Sequence, residues 1–117
     1  FFTYSEPATK GDSTTAVGSA LLKNNQLSEV KRIFSANYAT DEDYHYGSRI
    51  EFDEKDNLIV TIGERGQRLK VLDLKNHLGK IIRIKQDGSA AEGNPFINTP
   101  GALPEIYAKG IRSPQGL

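Results

Sequence analysis

The sequence predicts an all-β protein of meandering antiparallel sheets, and three observations carry that expectation. Apolar residues recur with the two-residue period of half-buried strands around Ile50 and Phe52, and again at Leu58, Val60 and Ile62. Short runs of this kind are separated by compact turn chemistry, as in Lys23-Asn24-Asn25-Gln26 and Asp87-Gly88. Finally, strand candidates follow one another in sequence from Ser48 to Ala108.

Each element has its own reason. Phe1 to Ser5 is aromatic and Thr-containing and is stopped by Pro7, so it reads as a strand end. Ala16 to Leu22 and Val30 to Phe34 flank the polar turn Lys23–Gln26 and make a hairpin. Its first half also suits a helix capped by Ser13, because Ala and Leu favour helix. Gly18 and the tight turn that follows favour a strand. Ile50 and Phe52 alternate with Arg49, Glu51 and Asp53, while Leu58, Val60 and Ile62 share one face of the returning strand, with Thr61 on the other. Gly79 to Lys85 obeys the same rule. Leu69 to Leu78 reads as one or two helical turns ending at Gly79, and Ala90 to Pro104 as a Pro/Gly/Asn-rich loop. Glu105 to Ala108 is the last strand candidate.

The strands from Ser48 to Ala108 amount to one blade of a β-propeller, and those before them to most of a preceding blade, with a division at residues 1–40 and 41–117. A sandwich of about seven strands fits the count as well. Two blades cannot close a ring. The expectation is therefore a piece of one larger propeller domain that self-associates through open sheet edges when alone. The start at Phe1-Phe2-Thr3-Tyr4, without Met or a charged leader, and the end at Gly116-Leu117 point the same way.

Composition narrows the function classes. The chain has 117 residues, the size of one ordinary domain, and 15 acidic residues balance 15 basic ones. No overall field therefore favours nucleic acid or an anionic membrane. No apolar stretch of roughly 18 residues spans a bilayer. Absence of cysteine excludes disulfides and thiolate metal sites.

The chemistry concentrates in HYGSRIEFDEKDNLIVTIGERG, from His45 to Gly66. His45 precedes a strand, and the hairpin returns to Glu64, a carboxylate bracketed by glycines. Such a hairpin can bring an imidazole and a carboxylate together at one sheet end. Imidazole suits proton abstraction because its ordinary pKa, about 6.5, lies near neutrality. A carboxylate on its N–H fixes the tautomer and favours the imidazolium that forms. On the residues alone, a loop histidine and a solvated turn acid beside Arg65 remain open. Asp41, Glu42 and Asp43 read as a solvated acidic loop, and Asp53 to Asn57 as a hairpin turn rather than a calcium loop. His77 reads as structural. No set of metal ligands, phosphate loop or basic-aromatic stripe is present.

In their order and spacing, HYGSRIEFDEKDNLIVTIGERG, LGKIIRIKQDGS, NPF and GALPEIYAKGIRSPQGL resemble the soluble quinoprotein sugar dehydrogenases, the PQQ-dependent aldose, glucose and sorbosone enzymes. The resemblance covers about Tyr44 to Leu117, and YSEP and STTAVGSALL are similar to the preceding blade of that family. It implies a six-bladed β-propeller of four-stranded antiparallel blades, of which this chain would be roughly the second and third. It implies oxidation of an aldose at the anomeric carbon to a lactone, with His45 as general base and hydride passing to PQQ. Glu64 stands where relatives carry the carboxylate that orients the histidine. Arg112, Ser113 and Gln115 in GIRSPQGL match the cofactor-binding GHRNPQGL. Ser113 departs from the usual Asn, and its one short hydroxyl reaches less far than an amide. The resemblance further implies calcium near PQQ with ligands outside this chain, an external electron acceptor, and a periplasmic or secreted location. A non-catalytic propeller segment that uses its loops for binding is the alternative. A sugar-lactone hydrolase would want clustered carboxylate and Asn ligands, which this stretch lacks. The chain alone is expected to be inactive.

Overall fold

Seven strands form two antiparallel sheets in the computed structural model, which describes residues 1–117. The first sheet has the order β1 (Phe2–Pro7), β2 (Ser13–Lys23) and β3 (Gln26–Ser35). The second has the order β4 (Gly47–Phe52), β5 (Leu58–Ile62), β6 (Lys80–Ile84) and β7 (Ile106–Lys109). Neighbours in sequence are neighbours in space, as a meander requires. The all-β expectation holds, and the helical alternative for Ala16 to Leu22 gives way to β2.

Local chemistry explains the long hairpin of the first sheet. Lys23 pairs with Gln26, and the intervening Asn24 and Asn25 both take positive φ, 51° and 59°. Two left-handed residues make the turn whose twist matches that of paired strands, and asparagine tolerates the conformation well. The proximal half of β2 is buried from Thr14 to Gly18, whereas Leu21, Leu22, Leu27 and Val30 near the hairpin tip are exposed.

One core joins the two sheets. Val17, Phe34 and Ala36 from the first pack with Leu58, Val60, Ile62, Ile82 and Ile84 from the second. Full burial of a Leu, Ile or Val side chain is worth roughly 1.5–3 kcal/mol, so this apolar layer is the main adhesive between the sheets.

A bulge in β4 shapes the sheet end used by the candidate site. Gly47 pairs with Ile62 and Ile50 with Val60, so Ser48 and Arg49 together face the single residue Thr61. The extra residue takes Ser48 to φ 80°. Side-chain hydroxyls satisfy the groups that the ladder leaves over. Thr61 Oγ1 accepts the Arg49 N–H at 2.9 Å, and Thr3 Oγ1 donates to the Ser48 carbonyl at 2.8 Å.

The bulge also corrects the simplest strand pattern. Thr61 lies opposite the Leu58, Val60 and Ile62 face, as alternation predicts, yet it too is fully buried because the bulged strand covers it. Phe52 departs the other way. It is exposed and meets Phe1 edge to face at 5.9 Å. The last strand begins at Ile106 rather than Glu105, since the Ile106 N–H first closes a turn onto the Leu103 carbonyl.

The helical turns expected over Leu69 to Leu78 reduce to one 3-10 turn, Arg68–Lys70. Two physical reasons account for this. Leu69 is 98% exposed and Leu72 is also exposed, so no apolar face is buried to stabilise a helix. Asp73 and Asn76 instead accept backbone N–H groups two residues ahead, from Lys75 at 3.0 Å and Leu78 at 3.0 Å. Such local side-chain bonds compete with helical ones.

Replacing Thr61 with Val keeps the shape but strips the Arg49 N–H of its acceptor. Thr61→Val is expected to lower stability by about 1–2 kcal/mol in urea titration, while Thr61→Ser retains most of it. Equal stability of the valine variant would mean that the bulge N–H has another partner.

Candidate active site

The segment before β4 presents His45 in a left-handed conformation, φ 57°, against the first turn beyond β5. Two glycines permit that approach. A Cβ on Gly63 would overlap the His45 carbonyl, and one on Gly66 would come within 2.6 Å of the Tyr44 hydroxyl. The Tyr46 carbonyl accepts the Gly63 N–H at 2.9 Å and the Thr15 hydroxyl at 3.1 Å. The histidine loop is therefore seated on both sheets.

Arg65 locks this arrangement from below. Its guanidinium donates to the Tyr44 carbonyl at 2.9 Å, the Ser13 carbonyl at 3.0 Å, Ser13 Oγ at 3.2 Å and the Glu42 carbonyl. The Tyr46 ring lies 3.7 Å from the guanidinium carbon. Arg65 is buried, and that burial lowers its pKa below the usual guanidinium value. A buried cation is tolerated here because neutral carbonyl dipoles fill its donor fork. In the sequence, Arg65 stands out only as a neighbour of Glu64. Its position between two glycines was the available signal.

With the loop so placed, His45 Nδ1 lies 2.7 Å from Glu64 Oε1. The histidine side chain is 27% exposed and the glutamate side chain 2%. A carboxylate can only accept, so Nδ1 carries the proton of this bond and the neutral ring keeps its free lone pair on Nε2. The Tyr44 ring meets the imidazole edge-on at 4.7 Å. Glu64 is thus no solvated turn acid. Its second oxygen, Oε2, is buried without a hydrogen-bond partner.

Arg112 approaches the same carboxylate. Its backbone carbonyl accepts the Glu64 N–H at 2.9 Å, and its Nε lies 3.9 Å from Glu64 Oε1. The Arg112 side chain is 69% exposed, so most of its donor fork is open. A cleft of about 140 Å³ runs between them, lined by Glu64, Arg68, Val71, Gly110, Ile111 and Arg112. Arg68 at that mouth was not anticipated, and no motif in the sequence marked it. Ser113 and Gln115 follow Arg112 and contact each other, Gln115 Nε2 to Ser113 Oγ at 3.2 Å. No hydrogen bond links them to His45 or Glu64.

The backbone converges on Gly79, which donates to the Gly63 carbonyl at 3.1 Å and accepts from Ile111 at 3.0 Å. Lys80 closes the intervening loop, its ammonium donating to the carbonyls of Leu78 at 2.6 Å and Lys70 at 3.1 Å. Lys80 has no exposed surface. Burial pulls its pKa from 10.5 to about 8, against the opposing pull of the Asp73 carboxylate.

The remaining polar groups serve structure. His77 Nδ1 accepts the Asn37 N–H at 2.8 Å, which leaves Nε2 to face Glu105 at 3.4 Å, and the ring packs on Phe34. Asp53 accepts N–H groups from Lys55 and Asn57 and pairs with Arg83 at 2.6 Å, as a hairpin turn should. Asn57 and Arg83 hold its carboxyl well below the ordinary carboxylate range. No group of three or more His, Asp or Glu side chains is placed to hold a metal ion.

A family model described as Glucose / Sorbosone dehydrogenase matches residues 1–117. The chain belongs to this family. It is similar to "Aldose sugar dehydrogenase YliI" of Escherichia coli (strain K12), 34% identical over 119 residues, which covers 100% of this chain and 32% of that protein. Among solved structures, the soluble aldose sugar dehydrogenase of Escherichia coli in its apo-form superposes with a TM-score of 0.92 at 34% identity, covering 97% of this chain and 33% of that one. The PQQ-bound aldose sugar dehydrogenase of Streptomyces coelicolor gives 0.68 at 28% identity, covering 91% and 30%. The chain thus spans about a third of the length of the relatives it matches. No helix is long and apolar enough to cross a membrane.

Gly63→Ala should push the His45 carbonyl away and lengthen the His45–Glu64 bond, read as loss of the low-field Nδ1–H proton resonance. An unchanged resonance would show that the loop tolerates a Cβ there. Lys80 gives a pH signature. Unfolded, it binds its proton up to about pH 10.5, and folded only up to about 8. Between those values the unfolded chain holds more protons, so stability rises with pH. Below pH 8 the contribution is flat. Urea titrations at pH 7 and 9.5 should show this rise in wild type and its absence in Lys80→Met.

Proposed function

We propose that this chain forms part of a PQQ-dependent aldose dehydrogenase that oxidises the anomeric carbon of a sugar to a lactone. The observation that carries the reading is the 2.7 Å bond between His45 Nδ1 and the buried Glu64 carboxylate. That bond holds the ring so that Nε2 takes the proton of the anomeric hydroxyl. As the ring becomes cationic, the Glu64 carboxylate, in a nearly dry setting, stabilises it. Glu64 thereby acts on orientation and charge at once.

The cofactor suits the donors present. PQQ is an anionic quinone, and Arg112 offers an open guanidinium beside the Ser113 hydroxyl and the Gln115 amide. These three residues would hold it, and when bound it would supply the hydride acceptor. Calcium, with ligands outside this chain, an external electron acceptor and a periplasmic or secreted location belong to the same proposal. So does the reading of residues 1–40 and 41–117 as consecutive propeller blades.

The test is reconstitution of the full-length protein with PQQ and calcium, followed by dye-coupled oxidation of aldoses. His45→Ala should lower kcat by about 10²–10⁴-fold. Glu64→Gln should fall between wild type and Glu64→Ala, because an amide oxygen still accepts the Nδ1–H but carries no charge. A His45→Ala enzyme at wild-type rate would remove the histidine from the reaction. Failure of the wild type to bind PQQ would favour the non-catalytic reading of the loops.

A further inference from the structure

We propose that Arg49 is a positioning residue that sets the cofactor-binding segment Ser113–Gln115 in place, acting through the Gln115 carbonyl. This rests on the functional reading above. Arg49 Nε donates to that carbonyl at 2.7 Å, across 66 residues of sequence. No other hydrogen bond within this chain ties residues 113–117 to the body of the fold, since the Gln115–Ser113 bond is internal to the segment. The two groups proposed to contact the cofactor beside Arg112 therefore hang on one guanidinium.

The bulge of β4 places that guanidinium. Alternation along an unbroken strand would set residues 47 and 49 on one face. The extra residue at Ser48 breaks this register, and the hydroxyls of Thr61 and Thr3 hold the displaced backbone at both of its free polar groups. Arg49 is thus anchored at its backbone N–H and extends to a chain segment that has no strand pairing of its own. Its terminal amino groups make no hydrogen bond, so the contact is directional at Nε and leaves the charge beside the segment. His45 lies four residues before Arg49, at the start of the same hairpin. One bulged strand start therefore sets the spacing between the proposed base and the proposed cofactor contacts.

Three readings on the full-length protein test this. Backbone 15N relaxation is followed without cofactor, PQQ affinity by titration, and steady-state kinetics at saturating PQQ, for wild type, Arg49→Ala and Arg49→Lys. Arg49→Ala should lower the backbone order parameters of residues 113–117 into the flexible range while leaving those of the β5–β6 ladder unchanged. It should weaken PQQ binding by about three- to tenfold, as for loss of one hydrogen bond, with kcat and the KM for sugar within about twofold of wild type. Arg49→Lys should recover part of both losses, since an ammonium can still donate to the carbonyl but without the fixed fork. Unchanged order parameters at 113–117 in Arg49→Ala, or loss of kcat with intact PQQ affinity, would overturn the proposal. If the wild type bound no PQQ, the cofactor reading would fall, and the relaxation comparison would still decide for or against the tether.

Discussion

A buried guanidinium holds this structure together where it matters. Arg65 has no carboxylate partner and instead fills its donor fork with the carbonyls of Ser13, Glu42 and Tyr44, with the Tyr46 ring against its face. Ser13 opens a strand of the first sheet, Arg65 follows a strand of the second, and the other residues lie on either side of His45. Both sheets and the histidine loop thus meet at one side chain. An ammonium could not do this, because its three donors lack the planar fork that reaches several carbonyls at once.

Glu64 depends on that clamp. Were the loop loose, water would reach the carboxylate, and its hold on the imidazole would weaken in the higher dielectric. Its neighbours are packed closely enough that a Cβ at Gly63 finds the His45 carbonyl in its place. The carboxylate nevertheless keeps one oxygen without a partner and an arginine at ion-pair distance, on the wall of a small cleft. A buried polar atom left unmatched in this way is costly, a state that Thr40 Oγ1 and Asn94 Oδ1 share. His77 is the contrast. Both of its ring nitrogens face protein partners, and it ties Asn37 to Glu105, just before β7.

Much of this was legible in the residues. Alternation around Leu58, Val60 and Ile62, and paired asparagines at a hairpin tip, report local backbone geometry directly, so the strands were readable. His45 and Glu64 could be offered as partners because a hairpin can bring its two ends together, although a loop histidine and a solvated turn acid stay open on the residues alone. The helical expectation over Leu69 to Leu78 fails because leucine spacing says nothing about whether a core exists to receive the leucines. Arg65, Lys80 and Thr61 went unread for a related reason. Burial of an arginine, a lysine or a strand threonine on its solvent side depends on what packs over it, which no local pattern records.

By itself, the sequence determined the all-β class and the strand order within each meander, and it offered one imidazole and one carboxylate that a hairpin can bring together at a sheet end. These follow from short-range periodicity and turn chemistry. Tertiary structure alone decided that Glu64 is buried, that Arg65 is the clamp beneath the histidine, and that Arg49 reaches Gln115 across 66 residues. Each of those depends on segments far apart in the chain meeting at a bulge or a glycine. Dielectric, hydrogen-bond partner and reach are set by that meeting.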